Sequence, residues 1–522
     1  KMAEDYNFFH WHLEFPEVFA SEGEDAEQAN HVESASTSGQ TDARENASAG
    51  AESGFDVVLG NPPWDQIQTE DDEFFAVNKP SILEVETASE RKEAIRELSE
   101  YSPQVFREFK RTKKFNESLN TYLREGGRYD LVAAGKINTY QIFAGLVREL
   151  RGHTGRVGII VPSGIATDYY TQDYFNALAE HGELVSLYDF ENSKGLFPEV
   201  APVVRFCLLT LTGPGIALEL IDFAFFLTRP EQLLNDQQHF TLSRKELNML
   251  NPNTGACPTF RSQEEARLTI KMYTSSQVLV NEQDGSNPWE VSFKQGLFNM
   301  SSDSDLFITR HQLEEEGASQ KGNAFQTNGT LFLPLYEAKN IDQYDHRSGT
   351  FKGTSREDRF KTKAATNSPS NSDKANPKYQ ILTRFWVSED AVEESLPDSW
   401  NGRDWFLSFR DVIQPMTNAR CSIFSVLPKS GIGNPAPLLL PSINADQVSV
   451  LLSMFNSFAL DYVARQKIGG SHMNFYIVKQ LPIQSPERYT SELFEYIVPR
   501  VLELTYTAWD LAAFADDVWS ES

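Results

Sequence analysis

The sequence predicts an α/β domain followed by an α+β domain, on three observations. Between residues 55 and 211, short β-branched runs alternate with stretches of helical periodicity, the pattern of a doubly wound, mainly parallel sheet. Beyond about residue 230 the pattern changes to short strands broken by Asn, Gly and Pro. The length of 522 residues, with 40% hydrophobic and 12% aromatic content, is enough for about three domains, each with a core.

Residues 1–19 hold Phe8, Phe9, Trp11, Leu13, Phe15, Val18 and Phe19, an aromatic-rich stretch expected to pack on a core. Residues 20–54 are the opposite, with one basic residue (Arg44) and one branched aliphatic (Val32), and read as a disordered acidic insertion. Residues 55–59 read as a buried strand that must stop at Pro62 and Pro63. Residues 84–114 are charged and helix-forming, and 130–150 carry Ile142, Phe143, Leu146, Val147 and Leu150 at helical spacing. Strands are expected at 156–162, 184–190 and 203–211, with a helix at 174–180. Further on, 445–468 reads as a helix, 475–481 as a strand and 492–514 as helical. The chain thus divides into 1–225, a connecting segment at 226–280, a second domain at 281–485 with a flexible loop at 362–378, and a helical end at 486–522. Residues 339–378 are locally rich in Lys and Arg.

Charge constrains partners less than it first suggests. Lys and Arg number 47 against 74 Asp and Glu, a net charge of −27, and a field of that sign repels polyanions. Only 21 of the basic residues are Lys and the acids run along the whole chain, as in a protein kept soluble in concentrated salt. At ~1 M salt the Debye length is ~3 Å, so local contacts decide binding and nucleic acid is not excluded. Cys207, Cys257 and Cys421 are far apart with no C-x-x-C pair, which argues against a disulfide framework or a zinc site. No apolar run approaches the ~20 residues of a membrane span, the first residues lack a signal-peptide pattern, and a reducing cytoplasm is expected.

The most informative residues are Asn61-Pro62-Pro63-Trp64 at the end of a hydrophobic strand. One reading is a rigid turn. The other is chemistry at an exocyclic amine of a base, whose lone pair is delocalised into the ring. Accepting hydrogen bonds from both N–H groups draws the nitrogen towards a tetrahedral, nucleophilic shape, and this needs two fixed acceptors. The Asn61 side-chain oxygen and the Pro62 carbonyl, held by two prolines of fixed φ, supply such a pair with little reorganisation. Trp64 then offers a ring on which a base flipped from its duplex can stack.

On these residues the chain resembles the gamma-class adenine-specific DNA amino-methyltransferases. Lys136-Ile137-Asn138-Thr139-Tyr140-Gln141-Ile142-Phe143 and residues 155–163 are similar to that family's helix-then-strand block after the catalytic loop. There, its start lies near S-adenosylmethionine, which makes Asn138 and Tyr140 candidates for the cofactor wall, against a helix cap and a core aromatic. Val203-Val204-Arg205-Phe206 resembles the strand whose aromatic covers the other face of the flipped adenine, and Phe206 is equally readable as core. Residues 9–19, 251–254 with 257–258, and 424–428 resemble the large fused restriction-modification and phage-defence methylases, and 469–474 followed by 481–483 is similar to the end of target-recognition domains in restriction specificity subunits. The resemblance implies a Rossmann-like methyltransferase domain, incomplete at its N-terminal side, followed by an α+β target-recognition domain that binds double-stranded DNA. Arg465, Lys467, Ser471, His472 and Asn474, around Gly469-Gly470, are the candidate base-contacting residues, set against an ordinary solvated loop.

The family's glycine-rich cofactor loop is not found among the 60 residues before Asn61 or later, nor is a nuclease motif. The expectation is therefore the C-terminal part of a longer or split methyltransferase, with a separate chain carrying the cofactor motif. The alternative is a DNA-recognition module without catalysis, and a methyltransferase of RNA or protein is a third reading. His10 and His12, without a carboxylate cluster, read as packing residues, so no metal is expected.

Overall fold

The computed structural model describes residues 9–19, 53–68, 71–83, 88–361, 364–398, 400, 402–415, 417–468 and 471–521. The proposed insertion at 20–54 and the Gly469-Gly470 turn fall almost wholly outside them. The chain forms two compact units, one of residues 1–248 with 254–266, the other of 249–253 with 267–522.

The first unit is built on a six-stranded sheet: β1 (Phe55–Gly60), β2 (Arg151–Pro162), β3 (Leu184–Glu191), β4 (Arg205–Thr212), β5 (Leu220–Leu227) and β6 (His239–Ser243), in the order β1-β2-β4-β3-β5-β6. Only β1–β2 and β3–β5 are parallel; β2–β4, β3–β4 and β5–β6 are antiparallel. The mainly parallel sheet expected from the sequence is thus corrected to a mixed one. Only β1 to β2 and β2 to β3 are joined through helices, Thr139–Leu150 and Gln172–Glu180 among them, while β3 to β4 is a short return that reverses direction. Central strands carry the core through Val157, Ile159, Val161, Leu187, Leu209, Leu211 and Phe223. Between β1 and the Thr139–Leu150 helix, helices Ala88–Tyr101 and Pro103–Glu125 pack around Phe75, Ile95, Leu98 and Phe109.

β1 is not the buried strand its apolar sequence suggests. It is an edge strand, paired with β2 alone among the described residues, and Val57 and Leu59 are 66% and 83% exposed. Near its start Phe55 meets Trp11, Phe15 and Phe19 edge to face, so the early aromatic stretch does pack against the sheet. The segment 226–280, read from sequence as a connector, is divided instead: β6 completes the first sheet by pairing with β5, and residues from Arg267 onward enter the second unit.

In the second unit one antiparallel sheet joins Phe424–Pro428, Trp405–Phe409, Leu438–Pro441 and Val291–Lys294, and another centres on Thr330–Tyr336. Leu333, Leu335, Phe406, Leu427, Ile432 and Leu438 share their core. The helix expected at 445–468 is two, Ala445–Phe455 and Phe458–Lys467, and the strand expected at 475–481 is the helix Phe475–Lys479. The loop expected to be flexible at 362–378 is tied down where it is described. Arg347, 1% exposed, donates to the carbonyls of Lys374, Asn376, Tyr379 and Thr507, and a short helix spans Asn371–Ala375. The nearby cations are largely paired within the fold, Lys352 with Asp373 at 3.0 Å and Lys361 with Asp358 at 2.7 Å.

Candidate active site

β1 ends at Gly60 on the same edge of the sheet as the end of β2 and the start of β4, and there Asn61-Pro62-Pro63-Trp64 leaves the sheet. The N-terminus of the Thr139–Leu150 helix clamps the loop. Thr139 Oγ1 donates to the Pro63 carbonyl at 2.7 Å and accepts from the Asp65 amide at 3.0 Å, while the Asn138 amide donates to the Trp64 carbonyl at 2.9 Å. Backbone bonds from Ile67 to Ile137 and from Thr139 to Asp65 extend the clamp. Among the described residues nothing bonds the Asn61 side chain or the Pro62 carbonyl, and Asn61 is exposed. The loop therefore engages its third and fourth carbonyls and leaves open the two acceptors that amine chemistry requires.

Asn138 is the N-cap of that helix, its oxygen accepting from the Tyr140 amide and its own amide bonding Gln141, a capping box. Both of its side-chain groups are engaged, so the reading of Asn138 as cofactor wall is corrected to that of a loop clamp. Tyr140 is buried, and burial together with the nearby Asp168 carboxyl pushes its phenol well above the usual range. It is a core aromatic rather than a cofactor wall. Burial also raises Asp168. Thr139 was not singled out from the sequence. The Asn138-x-x-Gln141 signature before an apolar helix is the signal that locates it, because a capping box fixes where the helix begins.

Trp64 is half-buried, with its indole N–H on the Ile160 carbonyl at 3.3 Å. Its ring lies 6.2 Å from Phe206 at 30°, and Phe206, 3% exposed, stacks on Phe190 at 5.5 Å and 9°. A base held between two rings needs ~7 Å, twice the ordinary ~3.5 Å contact. Phe206 is thus buried in the core, and its separation from Trp64 is just short of what a base between the two rings needs.

Behind this edge a buried carboxylate ties three strand ends together. Asp189, fully buried, accepts from Ser163 Oγ at 2.5 Å, from the Arg205 guanidinium at 2.5 Å and from the Phe226 amide at 3.1 Å. Each donor removes part of the cost of burying that charge.

The second group of candidates is split by the structure. The Arg465 guanidinium donates to the carbonyls of Pro415, Asn418 (3.2 Å) and Ala419 (3.1 Å) and lies 3.5 Å from Asp461. The Lys467 ammonium donates to the Leu250 carbonyl at 2.6 Å and to the Asn251 side chain, over the Tyr273 ring. Desolvation on burial brings its pKa down to about 7, with no carboxylate beside it among the described residues. Both cations hold backbone in place, so their assignment to base contact is corrected. Ser471, His472 and Asn474 are exposed, with His472 Nδ1 3.1 Å from the Asp411 carboxylate, whose pKa burial raises against the opposing pull of His472.

Among the described residues no helix is long and apolar enough to cross a membrane. Solved structures similar to the chain include the type IIG restriction endonuclease BpuSI (TM-score 0.29, 13% identity, covering 89% of this chain and 54% of that one). The type IIL restriction-modification enzyme MmeI in complex with DNA gives 0.35, 11%, 89% and 54%. The ATP-dependent type ISP restriction-modification enzyme LlaBIII bound to DNA gives 0.37, 10%, 87% and 30%. The chain spans about half or less of the length of these proteins, and no curated protein matches it. Residues 1–96, which carry β1 and the Asn61–Trp64 loop, match the Eco57I restriction-modification methylase family.

Proposed function

We propose that the chain carries the target-amine site and the DNA-recognition part of an S-adenosylmethionine-dependent, adenine-N6 DNA methyltransferase of a restriction-modification or phage-defence system. The observation that supports this most is the pair of unclaimed acceptors, Asn61 Oδ1 and the Pro62 carbonyl, in a loop whose next two carbonyls Thr139 and Asn138 hold still. An adenine amine donating to both acceptors has its lone pair localised for attack, at no reorganisation cost to the loop. Stacking of the flipped base falls to Trp64 alone, since Phe206 is core.

Asn138 is engaged in the clamp, Tyr140 is buried, and among the described residues no strand–loop–helix with a glycine-rich turn accompanies β1, which supports placing the S-adenosylmethionine site on another segment. The open side of β1 accounts for where that site belongs. Parallel sheets are ordinarily covered on both faces, and here Val57 and Leu59 face solvent on a strand whose outer edge is unpaired among the described residues. A strand from a cofactor-binding segment, in a separate chain or adjoining sequence, completes the sheet there and brings the methyl donor to the Asn61 loop.

The test is transfer of labelled methyl from S-adenosylmethionine to unmethylated DNA in high salt, by the chain alone, with its upstream product, and with Asn61→Ala in the complete system. Activity confined to the complete system and lost in Asn61→Ala is the expected result. DNA binding without transfer in any combination overturns the catalytic reading and leaves the recognition module.

A further inference from the structure

A second feature stands on β5, at the same end of the strands of the first sheet. The β3–β5 ladder is interrupted between Tyr188 and Phe190, where the single residue Asp189 faces both Phe225 and Phe226. Phe226 occupies this bulge with φ +61°, a left-handed conformation uncommon for a bulky side chain, and its amide is held by the Asp189 carboxylate at 3.1 Å. Such a bulge re-aims a side chain, and bulges of this kind gather beside functional sites. The re-aimed ring is flanked by two guanidiniums, Arg205 at 4.8 Å and Arg261 at 4.5 Å from its centroid.

The two cations are in different states. Arg205 is bonded to Asp189, which neutralises and orients it, while its Nε is buried without a partner. Arg261 is exposed, and among the described residues no carboxylate lies within ion-pair distance of its guanidinium; Glu265 bonds only its backbone amide. In a chain of net charge −27, this ring thus carries one oriented guanidinium and one with no ion-pair partner among the described residues. Planar guanidinium forks match phosphate oxygens, and ring stacking limits the entropy lost on binding. Arg205 and Phe206 are consecutive in β4 and so point to opposite faces of the sheet, and the cluster shares with the Asn61 loop only the end of the strands at which it stands.

We propose that Arg261, stacked on Phe226 and backed by the Asp189–Arg205 pair, binds a backbone phosphate of the DNA strand that carries the target base. This rests on the DNA-methyltransferase reading and adds a phosphodiester contact to it. One phosphate contact contributes about one unit to the slope of log affinity against log salt and carries no sequence preference.

The experiment measures binding of a duplex oligonucleotide to the full chain, with its partner where one is needed, from low to high salt. Arg261→Ala is expected to weaken binding ~10-fold at low salt for any duplex sequence and to reduce the salt slope by about one, with Arg261→Lys recovering most of the slope. Phe226→Ala, folded as judged by thermal melting, is expected to weaken binding in the same direction. Inorganic phosphate at matched ionic strength is expected not to compete; competition there would assign the cluster to a free anion and overturn the proposal. An unchanged slope in Arg261→Ala, with wild-type binding intact, overturns the phosphate contact while leaving the methyltransferase reading standing. Absence of salt-dependent DNA binding by the wild type overturns both.

Discussion

The Asn61–Trp64 loop and the segment from Arg465 to Asn474 both hold polar side chains beside Pro or Gly that are available for recognition as far as sequence can tell. In three dimensions they part. The first is rigid because its later carbonyls are bonded, and this same bonding leaves Asn61 Oδ1 and the Pro62 carbonyl open. In the second, the two cations that looked most like DNA contacts hold carbonyls of their own unit. A charged side chain is informative about function only once its hydrogen bonds are accounted for, because a buried donor must find an acceptor wherever the nearest one lies.

The largest effect that would break this contrast is at Asn61. Asn61→Ala is expected to lower methyl transfer by the complete system ~10³-fold, the size of losing one preorganised hydrogen bond to the reacting group, without changing thermal stability because the side chain is exposed and unbonded. Activity within tenfold of wild type would mean that the open acceptor does no chemistry. Arg465→Ala comes next, removing donors to three carbonyls and a partner of Asp461. It should cost the second unit ~2–3 kcal/mol in denaturant unfolding. A stable variant with altered sequence preference would return Arg465 to the DNA-reading surface.

A smaller effect sharpens the account of the first loop. Asn138→Ala loses an N-cap and the bond to the Trp64 carbonyl, for ~1 kcal/mol of stability. Because the freed loop must then be ordered on binding, transfer should fall more than the tenfold or less that such a stability change alone represents, read as a drop in kcat with little change in KM. A further prediction concerns pH. The Lys467 pKa of about 7 in the folded chain lies below the ~10.4 of an unfolded lysine. Between these values the unfolded chain holds a proton that the folded chain does not, so stability rises with pH through that window, by at most ~1.4 kcal/mol per pH unit. Below pH ~7 both states are protonated and the penalty is constant. Lys467→Met should remove this contribution, measured as a flatter dependence of the second unit's melting between pH 7 and 10.

Local signals fixed a good deal of this protein. β-branched runs located β1 to β4, two prolines ended the first strand, and the Asn-Pro-Pro-Trp tetrad marked the loop and the acceptor pair it offers. These depend on neighbours in sequence, through φ restriction and side-chain periodicity. What sequence could not settle depends on partners far along the chain. Phe206 is core because it stacks on Phe190 across a strand pair, and the sheet is mixed because strand direction follows from how each connection returns. β1 is an exposed edge although it reads as buried, since burial belongs to the whole sheet and not to the strand. The clamp from Thr139 to Pro63 spans 76 residues, and the bulge at Phe226 is held by Asp189 37 positions away. Hydrogen-bond partners and packing at such separations are set by the tertiary fold, and they separate the side chains left open for chemistry from those that only hold the protein together.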